Sequence, residues 1–194
     1  MASVSRYHPV LVAMHWLLAL LITAALALGA LVMARTPNTD PMKIEALRAH
    51  MGGGILIVSL MLLRFAIRTF SRRPAAADAG SAKLNSLAAI SHLAFYVLVL
   101  GMGLSGVFMA LQAGLFDVVF GGRGQLPADL WVFPVRAVHY AFSRLLMALI
   151  VLHVTGALYH TLVLRDGLLT RMWFGRRSIA ESSGQAADKQ AAGT

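Results

Sequence analysis

Four apolar runs set the terms for this chain. Near residues 10–34, 47–67, 87–113 and 137–164, each is long enough, at about 1.5 Å rise per residue, to cross about 30 Å of hydrocarbon. Inside lipid, backbone amides must find their partners within one segment or around a closed barrel, so continuous apolar runs of this length are helices. The expected fold is all-α: an integral membrane four-helix bundle over residues 1–177, followed by a small, polar, aperiodic tail at 178–194 that reads as disordered. The overall balance agrees, with 58% hydrophobic residues, 13% charged and a mean hydropathy of +0.72. The first run is too long for the apolar part of a signal peptide and follows a single Arg6, so it is read as a retained span.

Basic residues fix the expected orientation. With the N-terminus inside, the inner face holds Arg6, Arg64, Arg68, Arg72, Arg73, Lys83, Arg165, Arg171, Arg176, Arg177 and Lys189. The outer connections hold only Arg35, Lys43, Arg48, Arg123 and Arg136. Both termini of this multi-pass membrane protein are therefore expected in the cytoplasm. The net charge of +9 is accounted for by this asymmetry, which leaves no case for a nucleic-acid partner.

The chemistry is narrowed by what the spans omit. Cysteine is absent, which excludes disulfides, thiolate zinc sites, iron–sulfur clusters and covalent haem attachment. No aspartate or glutamate lies inside the runs, which argues against a carboxylate proton path and a transporter. Nor is there a catalytic triad, nucleophile or nucleotide motif. Histidine remains: His15, His50, His92, His139, His153 and His160, with His8 at the interface.

His139 and His153 are fourteen residues apart, so they share one helix face and differ by about 21 Å in depth. His15 lies early in the first run and His50 early in the second, which places them near opposite membrane surfaces. Each end of the His139/His153 helix thus gains a partner at its own depth: His50 with His139 outside, His15 with His153 inside. Two stacked imidazole pairs without cysteine or carboxylate suit low-spin haem iron better than tetrahedral zinc. By depth alone, His160 or His92 is an alternative to His153 as inner ligand; as single histidines both read first as packing residues or proton carriers. Gly53, in the GGG after His50, leaves room for a flat macrocycle or for close helix packing. Arg64, fourteen residues after His50, and Arg144, five after His139, each suit pairing with a haem propionate; Arg64 equally suits a snorkelling position, whereas Arg144 is too deep to snorkel.

His15 in MHW, His50 before glycine, the fourteen-residue spacing on the fourth helix and the terminal RDGLLTRM together resemble the bacterial cytochrome b561 family over roughly residues 5 to 177. The resemblance implies two non-covalent b haems stacked across the membrane, with His50 and His139 as outer ligands and His15 and His153 as inner ones. Stand-alone members resemble superoxide oxidase, implying electrons taken from superoxide outside and given to ubiquinone. Arg48 and Arg136, just before the outer ligands, would steer the anion or bind lipid headgroups. His160, beyond His153 on the same face, is the expected quinone contact, with Lys83, His92 and Trp173 at its level; Lys83 and Trp173 read first as a positive-inside charge and an interfacial anchor. The other reading is a membrane-anchor subunit relaying electrons from a periplasmic hydrogenase or dehydrogenase.

Overall fold

The computed structural model describes residues 3–72, 74–176 and 178–180. Among the described residues four helices are long and apolar enough to cross a membrane: Pro9–Met33, Met42–Phe70, Ala82–Gln112 and Val135–Leu164. In chain order the elements are β1 (Ser3–Val4), α1 (Pro9–Ala27, prolonged by a π-helical turn over Leu28–Met33), α2 (Met42–Phe70), α3 (Ala82–Gln112), the short α4 (Leu115–Val119), α5 (Val135–Tyr159, prolonged by a π-helical turn from His160), α6 (Leu168–Arg171) and β2 (Ile179–Ala180). The end carrying β1 and β2 is called proximal, the other distal.

Local chemistry sets the helix limits. Pro9 occupies the first turn of α1, where its missing N–H costs nothing, and the His8 ring accepts from Val10 N, capping the helix. Ser81 caps α3 by accepting from Leu84 N. At the distal end of the first span, the buried Lys43 donates to the carbonyl of Met33, which the helix end leaves unpaired, and to that of Thr36 in the turn beyond it.

Apolar side chains turn outward as well as inward: Leu20, Phe65, Leu93, Phe108, Val151 and Leu162 are all exposed, as a lipid-facing surface requires. The central core is Leu18, Ile22, Ile57, Met61, Val99 and Leu146, and a second cluster of Leu47, Ala110, Ala113, Leu115, Val119 and Leu130 seats α4 across the distal end. Steps of seven residues, which return to nearly the same helix face, connect this core to the histidines. Ile22 lies seven beyond His15, Ile57 seven beyond His50, Leu146 midway between His139 and His153, and Val99 seven beyond His92. All four are buried, forming one apolar layer with a histidine-bearing layer on either side.

Small residues let α3 approach its neighbours. A Cβ on Gly103 would run into the Val58 side chain of α2, and one on Gly101 would come within 2.9 Å of the Phe142 ring of α5. The tail expected from 178 begins as β2, which pairs antiparallel with β1; residues 181–194 lie outside the described residues.

Candidate haem-binding sites

The distal layer brings His50 of α2 to His139 of α5, with ring centroids 6.2 Å apart. In the proximal layer His15 of α1 faces His153 of α5 at 6.1 Å. Two imidazoles on opposite sides of one metal, bonded at about 2 Å with each ring centre about 1.1 Å behind its nitrogen, would place their centroids about 6.2 Å apart. Both pairs fit that spacing. His50 Nδ1 is moreover buried without a hydrogen-bond partner among the described residues, so this ring has bonding capacity that the protein does not use. An unpaired buried polar atom costs about 1–3 kcal/mol, which a bound ligand can offset.

Glycines in the same heptad register border the distal pair. A Cβ on Gly29 would lie 3.7 Å from His50 Cε1, and one on Gly106 3.3 Å from His139 Cε1. A Cβ on Gly53 would meet no protein atom within 4 Å, leaving open space one turn from His50. The proximal layer is more polar. Phe95 and His92 of α3 both contact the His153 ring, His92 at 5.7 Å, so three histidines gather there. Arg64 reaches the same layer and donates to the Tyr96 hydroxyl at 2.7 Å.

Other candidates from the sequence are placed differently. Arg48 gives Nε and Nη2 to the Val119 carbonyl and Nη1 to Glu45, tying α2 to α4. Arg136 lies 4.7 Å over the Trp131 ring. Arg144 is exposed on α5, with no hydrogen bond or ion pair among the described residues. His160 is buried, and its Nδ1 is 2.6 Å from Asp166 Oδ2. That hydrogen bond holds the Asp166 carboxyl below its ordinary range. No hydrogen bond, ion pair or ring contact joins His160 to Lys83, His92 or Trp173 among the described residues. Trp173 packs edge-on against Trp16, whose indole donates to the Met172 carbonyl, while Lys83 is exposed near the start of α3.

Two residues in these layers escape a search for metal ligands. Asp166 lies outside the spans, where its signals are its place in the terminal RDGLLTRM and its position six residues after His160. Ser105, a buried hydroxyl in GMGLSG, stands 3.0 Å from His139 Nδ1.

The pattern of prokaryotic cytochrome b561 matches residues 6–175. The chain belongs to that family. It is also similar to cytochrome b561 homolog 2 of Escherichia coli (strain K12), with 30% identity over 172 residues covering 86% of this chain and 90% of the relative. As a prokaryotic cytochrome b561 it is a membrane b-type cytochrome that transfers electrons, and haem b is the prosthetic group the family implies.

Proposed function

We propose that this cytochrome carries two haems b, oxidises superoxide at the distal face and reduces ubiquinone near the proximal face, with the distal face in the periplasm of a bacterial inner membrane. The observation that carries the reading is the pair of imidazole clamps, 6.2 and 6.1 Å wide, one toward each end of the bundle. Bound there, haem iron supplies a one-electron couple at each level. Two superoxide anions would give up one electron each and leave as dioxygen; a quinone taking both electrons and two protons becomes quinol.

His50 and His139 would hold the distal haem, His15 and His153 the proximal one. Arg64 is placed for a propionate of the proximal haem, with Tyr96 fixing its direction. At the distal mouth Arg136 is the better steering charge, since the Arg48 guanidinium is engaged by Val119 and Glu45. At the proximal end Asp166 supports His160 through Nδ1, leaving Nε2 to pass a proton to a reduced quinone oxygen. Lys83, His92 and Trp173 then belong to the surroundings rather than to one cluster.

A second reading, an anchor subunit for a periplasmic hydrogenase or dehydrogenase, draws on the exposed Phe120, Trp131 and Val132 at the distal end, an apolar surface open to a partner. Stopped-flow mixing of purified, partner-free protein with superoxide separates the two. The expected result is rapid haem reduction, slowed by salt and by Arg136→Gln, then reoxidation by added ubiquinone that is about tenfold or more slower in His160→Ala. Slow reduction, with a large redox subunit co-purifying, would favour the anchor.

A further inference from the structure

Ser105 does more than fill space between α3 and α5. Its residue is 5% exposed, and its Oγ lies 3.0 Å from the Met102 carbonyl, one turn back on its own helix. The same Oγ is 3.0 Å from His139 Nδ1. A hydroxyl has one proton to give and lone pairs to spare, so a proton directed at Met102 leaves the oxygen as acceptor toward His139. The resulting chain runs from His139 Nδ1–H to Ser105 Oγ–H to the Met102 carbonyl, each bond polarising the next. It fixes the ring proton on Nδ1 and leaves the Nε2 lone pair free, the form a metal ligand needs.

The neighbouring residue completes the seat. An added Cβ on Gly106 would stand 3.3 Å from His139 Cε1 and 3.7 Å from Nδ1, so the imidazole edge lies directly against the α3 backbone. Ser105 fixes the rotation of the ring and Gly106 its depth. Among the described residues, none of His15, His50 and His153 has a ring nitrogen hydrogen-bonded to another side chain. The two layers therefore differ in their surroundings as well as in position.

We propose that Ser105 is a positioning residue for the distal haem: by accepting from His139 Nδ1 it orients the ring, raises its donor strength and lowers the reduction potential of that haem relative to the same site without the hydroxyl. This rests on ligation of the distal haem by His50 and His139. A more strongly donating imidazole favours ferric iron, so removing the acceptor should make this haem easier to reduce.

The test uses full-length holoprotein in detergent, with potentiometric titration followed optically and low-temperature EPR of the oxidised state, on Ser105→Ala, Ser105→Thr and His139→Ala. Ser105→Ala should keep both haems and shift the EPR signal of the haem that His139→Ala removes. The one-electron equilibrium of that haem should move toward the ferrous form by about tenfold, equivalent to about 59 mV, and Ser105→Thr should restore it. A change below about twofold, a change confined to the other haem, or a loss of haem that Ser105→Thr does not rescue would overturn the role given to Ser105. If His139→Ala retains both haems, it is the ligation itself that fails.

Discussion

Replacing His15 by alanine should remove the proximal haem and leave the distal one, while replacing His92 should remove neither. The contrast matters because three histidines meet in this layer: His15 is 6.1 Å from His153 between ring centroids, and His92 is 5.7 Å from it. A metal bridging two imidazoles needs about 6.2 Å, so the His15 pair has the required gap and the His92 pair is short by about half an ångström. His92 is also held elsewhere. Its Nδ1 lies 2.6 Å from the Ala88 carbonyl on its own helix, and the residue is exposed. Substituting groups that merely support a ligand costs 10- to 100-fold in metal affinity, so losing one of only two axial ligands should empty the site during purification. The assay is haem per protein by pyridine haemochrome, paired with reduced-minus-oxidised spectra. We expect a fall from about two haems to about one in His15→Ala and His153→Ala, against no change in His92→Ala. Haem loss in His92→Ala with full retention in His15→Ala would refute the pairing.

Gly103→Ala should weaken the bundle by about 1–3 kcal/mol in a denaturant titration, because the new methyl enters the volume of Val58, whose β-branched side chain cannot rotate freely away. Gly53→Ala meets no protein atom, so loss of the distal haem there without loss of stability would place the macrocycle beside Gly53. The Asp166 carboxyl is depressed by its hydrogen bond to His160. Its stabilising effect should therefore be fully present above the ordinary carboxylate pKa of about 4 and fade as pH falls through the lower folded value. Thermal midpoints of the wild type and Asp166→Asn should differ at neutral pH and converge in acid; a difference that persists there would show that the pair does not depend on the carboxylate charge.

Depth is the coordinate that a sequence of membrane helices supplies on its own. Lipid forces the apolar runs into helices of known rise, and the alternation of direction then gives each histidine a height. The spacing between His139 and His153, with His50 and His15 early in their runs, was enough to select the two pairs that the fold brings face to face. In the folded bundle the seven-residue register sets Ile22, Ile57 and Leu146 in the layer between them. Height says nothing about lateral neighbours, since that depends on which face each helix turns to the others and on how the connections fold back. Arg48 had the right level for the distal mouth, yet the position of α4 gives its guanidinium a carbonyl and a carboxylate instead. His160 had the right level for Lys83 and Trp173, but the turn after the fourth span brings Asp166 beneath it, and the packing of the terminal segment sends Trp173 to Trp16. Ser105 was one small residue among several on α3 until the close approach of α3 to α5 set its hydroxyl 3.0 Å from His139. Rotation about the helix axis and sub-ångström fit between neighbours are settled only when all four helices pack together.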